Sequence, residues 1–472
     1  MSTPRQTSTV VERLADFATR TRYDELAEST ALQLRIRLLD ALGCALGAIG
    51  ADPVDRIRSH VRKTCTGGAG TLIGGGTAAP RDAAFVNGSL VRYLDFNDSY
   101  IALRETCHPS DNIAAIVAAA EIADADGRDL LAAFATAYQV QCRLSDVAPV
   151  RARGFDHTSQ LVIATAAGVS RVLGLDAKRA AHAIAISGTA LHALRVTRTG
   201  RLSQWKGLAA PFAAACALDA SLLAANGVTG PLELFEGDKG FMEVLSGPFL
   251  LDWSREQLDR AHKTIIKPFN AEVHSQSVIE AILALRRDEN LDPEQIEGAD
   301  IEIFDVAYDI IGGGAHGDKS AVRTKEQADH SLPYIVAATL LDGEVTPAQY
   351  QPDRIQRSDV QRLMARVRVR ADEAFTRRFP EEMPCRVTIR LGGGRTVTRE
   401  ASDFPGFHAR PFDWSSALAK FAALAEPRAG SGVSERIATA VHDVHRLRVR
   451  ELSSLLAKLP WPEARGEANH VQ

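Results

Sequence analysis

The hydrophobic pattern of this chain changes character once, near Trp253, and that change limits the folds open to it. Before it, apolar residues recur at helical spacing. Ala31, Leu34, Leu38 and Leu42 share one face, continued by the small residues of 45–49, and the segments 113–124, 130–143, 161–173, 180–190 and 208–225 are alanine-rich runs of the same kind. Small side chains let helices approach closely, so residues 1–264 read as a large all-α domain. After Trp253, apolar residues alternate in 299–306, 367–369 and 387–391, the mark of half-buried strands. Gly392-Gly393-Gly394 then leads into Thr396-Val397-Thr398, which predicts a hairpin. With helical patterns at 276–287 and 327–341, residues 265–404 read as a smaller α+β domain. From Trp414 to Lys458 the spacing is helical again, so 405–460 should pack back on the first domain, with the polar last residues frayed. The expected class is therefore mainly α.

A chain of 472 residues exceeds one typical core. Apolar residues make up 45% and aromatic residues only 6%, so the core is built from Ala, Leu, Ile and Val, which favours packed helices over a β-sandwich. The formal net charge of −4 offers no nucleic-acid surface, and any anion site must be a local cluster of cations. No basic, apolar, small-residue opening suggests a signal peptide. Charges interrupt the longest apolar stretches, so no membrane-spanning helix is expected. Cys44, Cys65, Cys107, Cys142, Cys216 and Cys385 are scattered without a Cys-x-x-Cys pair, which argues against a zinc ribbon or an iron–sulfur centre. Reduced thiols in a cytoplasmic protein fit this usage.

Polar residues concentrate where apolar helices begin. Asp95-Phe96-Asn97-Asp98-Ser99 and Cys107-His108-Pro109-Ser110-Asp111-Asn112 precede the run at 113–124. If 95–99 is helical, Asp95 and Ser99 share a face and could bind one ligand; alternatively Asp98 or Ser99 is an N-cap. Ser110 or Asp111 is a natural cap for the following helix. Capping does not explain His108; an imidazole beside a helix N-terminus should have a lowered pKa and suit neutral acid–base work, or it is a structural histidine. Gly154-Phe155-Asp156-His157-Thr158-Ser159 repeats this design. Lys206 and Lys267 adjoin apolar runs, the latter near the expected domain junction, and each is either a snorkelling lysine or a buried cation serving an anion. Gly67 to Gly76 lacks a phosphate-loop pattern, and Gly312, Gly314 and Gly317 spell Gly-x-Gly-x-x-Gly without the lysine or the helix that nucleotide binding needs, so both read as turns or loops.

Taken in order, several segments resemble the MmgE/PrpD family: Asn87-Gly88, Asp95 to Ser99, His108-Pro109-Ser110, Gly154 to Ser159, Trp205-Lys206-Gly207, Phe235-Glu236-Gly237, Lys267-Pro268-Phe269, and Thr324 to Tyr334 with its Asp329-His330-Ser331-Leu332-Pro333. The resemblance spans roughly residues 10 to 425. It implies a large all-α domain with a smaller α+β lid, a cytoplasmic homodimer, no metal or other cofactor, and a site between domain and lid that takes a small polycarboxylate. By motif, Asp95, His108, His157, Lys206, Lys267 and Tyr308 would be catalytic, and Ser99, Lys206 and Lys267 would bind substrate; Tyr308 is matched by context alone. Ser99 stands where relatives often have Thr, and Asn97 resembles the dehydratase-like branch.

The implied reaction is a metal-independent dehydration of the 2-methylcitrate kind, a step of propionate catabolism. Its developing negative charge needs fixed cations, here Lys206 and Lys267, and its proton transfers need an acid and a base, here His108 and Asp95 with His157 and Tyr308 assisting. Decarboxylation of a cis-aconitate-like acid or epimerisation could use the same residues. A metal-dependent hydro-lyase using Asp95, Asp98 and His108, and a non-enzymatic helical binding protein, are the remaining alternatives.

Overall fold

A computed structural model describes residues 8–462, and the polar C-terminal residues expected to fray lie outside them. Helices dominate and strands are few, as the alanine-rich spacing requires. Side-chain caps fix several helix starts. Thr9 and Glu12 form a capping box for Val10–Arg20, Asp126 caps Gly127–Val147, and Asp176 caps Ala177–Ala190.

The helices build two adjoining cores. One joins Glu28–Gly47, Pro80–Tyr93, Ile113–Ile122 and Gly127–Val147 with the C-terminal helices Trp414–Ala429, Ser431–His442 and Val449–Ala457. The other joins Val10–Arg20, Thr158–Val172 and Ala177–Ala190 to Phe235, Phe241 and Trp253. Close approach explains the small residues: a Cβ added at Gly168 would lie 2.7 Å from the Ile116 side chain and 3.1 Å from the Ala133 carbonyl. Two short hairpins interrupt the helical part, Gly70–Thr71 (β1) with Thr77–Ala78 (β2), and Tyr100–Ala102 (β3) with Glu105–Cys107 (β4).

Trp205–Ala225 is long and apolar enough to cross a membrane, with Lys206 and Asp219 its only charges, so charge does not interrupt every such run as the sequence reading supposed. Here most of its side chains are buried within the protein.

A third core runs from Ile265 to Phe407. Its sheet orders Val367–Ala371 (β6), Ile296–Ile303 (β5), Cys385–Leu391 (β7) and Thr396–Ala401 (β8) as β6-β5-β7-β8. β5 pairs parallel to β6 and antiparallel to β7, with Ile301 opposite both Val369 and Val387; β7 and β8 form the expected hairpin. Ala299, Ile301 and Ile303 alternate into the core with Val387 and Ile389, under helices Gln276–Asp288 and Leu332–Asp342. On the opposite face Glu302 pairs with Arg370 and Arg386, and Asp300 with Arg390. The helical pattern expected over 327–341 is two helices, Lys325–Ala328 and Leu332–Asp342. Pro333 and the Ser331 cap start the second one, and the break between the two holds Asp329 and His330.

Phe421, 1% exposed, fixes the C-terminal return by packing on Gly43 of helix Glu28–Gly47. Phe421→Ala is expected to cost about 3–5 kcal/mol of unfolding free energy in urea. A loss below about 1 kcal/mol would make the C-terminal helices peripheral to the fold.

Candidate active site

Helix Pro80–Tyr93 ends just before Asp95, whose φ of 55° is left-handed. Residues 95–99 are therefore not helical, and Asp95 and Ser99 do not share a helix face. The turn instead points the Asp95 carboxylate back at the helix end, where Arg92 donates to Oδ1. Lys206, from the first turn of helix Trp205–Ala225, donates to Oδ2 at 3.1 Å. Lys267 donates to the Asp95 carbonyl at 2.6 Å and lies 3.6 Å from Oδ1. Burial alone would raise the Asp95 carboxyl, but Arg92, Lys206 and Lys267 together hold it well below the usual carboxylate range. The Asp95 carboxylate thus gathers three cations.

Backbone pairing sets this geometry. Ser99 and Ile265 exchange N–H···O bonds of 2.9 and 2.7 Å, which lays 265–267 along the Asp95 segment. Arg37 locks the neighbouring Thr264 through its hydroxyl and carbonyl, and Asn270 donates to the Leu94 carbonyl at 2.7 Å. The break at 329–331 completes the cluster. Asp329 takes Lys325 at 2.7 Å and lies 3.8 Å from Lys206; His330 Nδ1 lies 2.7 Å from Asp329 and 3.3 Å from Lys206.

Neither Ser110 nor Asp111 caps Ile113–Ile122 with its side chain, and Asp98 and Ser99 cap no helix of their own. Asp98 reaches across instead: its Oδ1 accepts the Ser110 N–H at 3.0 Å and its Oδ2 the Tyr138 hydroxyl at 2.8 Å. The Asp98 carbonyl lies 2.9 Å from His108 Nδ1, with the Ser99 hydroxyl at 3.1 Å. A carbonyl can only accept, so Nδ1 carries the proton and Nε2 is left with its lone pair. The His108 pKa lies well below the usual range, as its place before a helix suggested, but burial is the main cause, followed by Arg92 and Lys267.

His157 stands edge-on to His108, with ring centroids 5.3 Å apart. Arg198 donates to its Nε2 at 3.1 Å, so its proton sits on Nδ1, which is buried without a partner. Burial, with Arg198 acting against Asp156, pushes His157 down to about 3. Asp111, buried beside Arg92, is pushed up to about 7.

Arg92, Asp95, His108, His157, Arg198, Lys267 and His330 are among the residues lining one cavity of about 50 Å³ between the helical cores and the 265–407 core. Lys206 and Ser99 stand behind this wall, on Asp95 and His108. Tyr308 does not line it; its ring packs against the third core near Gly312 and Val369, and Ile310 takes the wall position. The metal alternative of Asp95, Asp98 and His108 is not assembled, because Asp98 is committed to Ser110 and Tyr138. The donors that do converge are Asp95, Asp329 and His330, and the Lys206 ammonium sits among them.

Sequence reasoning gave no site role to Arg92, Asp329, His330, Asp156 or Arg198, although Asp156, Asp329 and His330 stand inside the family motifs. Arg92 reads as an ordinary last-turn cation, with no signal of its own. Asp329 and His330 were findable from Ser331 and Pro333, which mark a helix start inside an apolar run.

A histidine that stays neutral in the fold but takes a proton near pH 6.5 when unfolded makes the unfolded state bind the extra proton between those values. Stability from His157 is therefore full above about pH 6.5 and is lost as pH falls towards about 3. In His157→Gln the slope of unfolding free energy against pH, measured between pH 4 and 6, should fall by about 1.4 kcal/mol per pH unit. An unchanged slope would mean that His157 already takes a proton in the native state in this range.

Comparison with known sequences gives the same frame. The sequence model of the MmgE/PrpD N-terminal domain matches residues 12–254, and that of the MmgE/PrpD C-terminal domain matches residues 269–446. The 2-methylcitrate dehydratase of Escherichia coli (strain K12) is 27% identical over 79% of this chain and 81% of its own. The cis-aconitate decarboxylase of Mus musculus is 25% identical over 98% of this chain and 96% of its own. A probable 2-methylcitrate dehydratase of Saccharomyces cerevisiae is 28% identical over 78% and 75%.

Proposed function

The chain belongs to the MmgE/PrpD family and is a lyase; from that premise we propose that it dehydrates a small hydroxy-polycarboxylate of the 2-methylcitrate kind. The observation that carries this reading is the charge of the cluster. Arg92, Lys206, Lys267 and Lys325 face three carboxylates held below the usual range, Asp95, Asp329 and Glu272, the last bonded to His274. The surplus positive charge is buried in a chain of formal net charge −4. A carboxylate-bearing substrate supplies the missing anion.

Elimination removes a proton from the carbon next to a carboxylate and expels hydroxide. Lys267 and Arg92 stabilise the charge that builds on that carboxylate, and they are fixed before substrate arrives. His108 is the base: its Nδ1–H is held by the Asp98 carbonyl, so Nε2 is free to accept the proton. A bound carboxylate offsets the cations that depress His108 and so raises its basicity. Asp95 keeps Lys206 and Lys267 in place, and the His157 Nδ1–H is a donor available to the departing oxygen. The cavity is far below the roughly 300 Å³ of ordinary ligand pockets, so substrate enters when the 265–407 core moves away from the helices.

Decarboxylation of a cis-aconitate-like acid is the second reading, favoured by the near-complete span of the mouse relative. Asn97 supports dehydration. It donates to Ser110 at 2.8 Å and Asp111 at 3.3 Å, where an aspartate would set a second carboxylate against Asp111.

Incubation with 2-methylcitrate, citrate and cis-aconitate, with products identified by NMR, separates the two. We expect an alkene and water from 2-methylcitrate; release of carbon dioxide from cis-aconitate alone would install the second reading. His108→Gln should lower kcat at least about 100-fold with little change in KM. Normal kcat with raised KM would reassign His108 to binding.

A further inference from the structure

The cavity has a second cationic end, beyond His157, formed by Arg151, Arg195 and Arg198. Two of these are held by carboxylates. Arg198 donates to Asp156 at 2.7 Å and to His157, and Arg151 lies 3.4 Å from Glu105, whose other oxygen accepts the backbone N–H groups of Val150 and Arg151. Arg195 differs. Its backbone is fixed by a 2.8 Å bond to the Gly154 carbonyl, in register with the Phe155–Leu194 bridge. Among the described residues its side chain makes no hydrogen bond, and its Nε is buried without a partner. Its nearest carboxylate, Asp156 Oδ1 at 3.6 Å, is already bonded by Arg198, and Glu105, which also acts on it, is paired with Arg151.

No anion from the third core relieves this. His316, in the loop between the left-handed Gly313 and Gly317, comes near the arginines but is itself pushed down to about 4 by burial, Arg195 and Arg151, and so is neutral. Burial and the neighbouring Arg151 lower Arg195 to about 10, leaving it a cation. A largely buried guanidinium without hydrogen bonds is unfavourable by itself, and its planar fork suits the two oxygens of a carboxylate.

We propose that Arg195 binds a second carboxylate of the substrate, distal to the one held by Lys267 and Arg92, so that the substrate carries carboxylates on both sides of the imidazole pair. The charges along the cavity fit this: His108 responds to Arg92 and Lys267, and His157 to Arg198, Arg92 and Arg195. The inference rests on the polycarboxylate reading above and narrows it, because a molecule with one carboxylate can satisfy only one end.

Calorimetric titration with tricarballylate (propane-1,2,3-tricarboxylate), which has no hydroxyl to expel, tests this without turnover, and butyrate serves as the single-carboxylate probe. Arg195→Met should weaken tricarballylate at least about tenfold and leave butyrate unchanged. Arg195→Lys, which keeps the charge and loses the fork, should fall between. Circular dichroism checks each fold, and if Arg195→Met does not fold, Arg195→Lys decides. Wild-type affinity for tricarballylate in the folded variant overturns the proposal, as does an equal loss for both probes, which would indicate a disturbed cavity. If the wild-type protein binds no tricarballylate, the polycarboxylate reading itself fails, and this inference fails with it.

Discussion

One buried carboxylate, Asp95, organises the site. Three cations reach it from three distant parts of the chain: Arg92 from the preceding helix, Lys206 from the start of Trp205–Ala225, and Lys267 from the segment entering the third core. Each of these charges is stripped of water, which costs several kcal/mol per ion unless good geometry offsets it. The geometry is supplied by the left-handed turn at Asp95 and by the Ser99–Ile265 backbone pairing. Removing the carboxylate would leave three like charges facing one another, so both the position of the third core and the charge of the cavity depend on it.

The electrostatics then divide the labour. Burial lowers the Lys206 and Lys267 ammoniums while Asp95 and Asp329 act against it, and the two histidines stay neutral because they are buried beside those cations. A cavity with surplus positive charge and neutral imidazoles suits abstraction of a proton next to a bound carboxylate. In the proposed reaction, binding of the substrate's anion would raise the imidazole pKa and so strengthen the base. The same arrangement explains why donors spaced like metal ligands at Asp95, Asp329 and His330 surround an ammonium.

Much of this was legible in the sequence, for identifiable reasons. Helical spacing with small residues predicted the packed helices, and strict alternation at 387–391 predicted β7, because side-chain periodicity is local. Family motifs pointed to Asp95, His108, His157 and Lys267, all of which line the cavity. Where inference relied on local geometry it failed. Side chains at 95–99 permit a helix or a cap, but the turn at Asp95 sets its carboxylate against Arg92, three residues back, and against Lys206 and Lys267, more than a hundred residues on. Tyr308, placed by context, packs on the third core. The 327–341 run hid a break that Ser331 and Pro333 announced.

The sequence by itself determined a mainly α class, the family and the concentration of polar residues before apolar helices, since each is written in spacing or in ordered motifs; it left open whether Lys206 and Lys267 are buried cations. Only the tertiary structure decided which charges meet. It recruited Arg92, Asp329 and His330 to Asp95, gave Asp98 the work of holding Ser110 and Tyr138, and left Arg195 without hydrogen bonds at the far end of the cavity. The reason is physical: a pKa, an ion pair or an unfilled hydrogen bond depends on distance and burial, and these arise between segments remote in sequence.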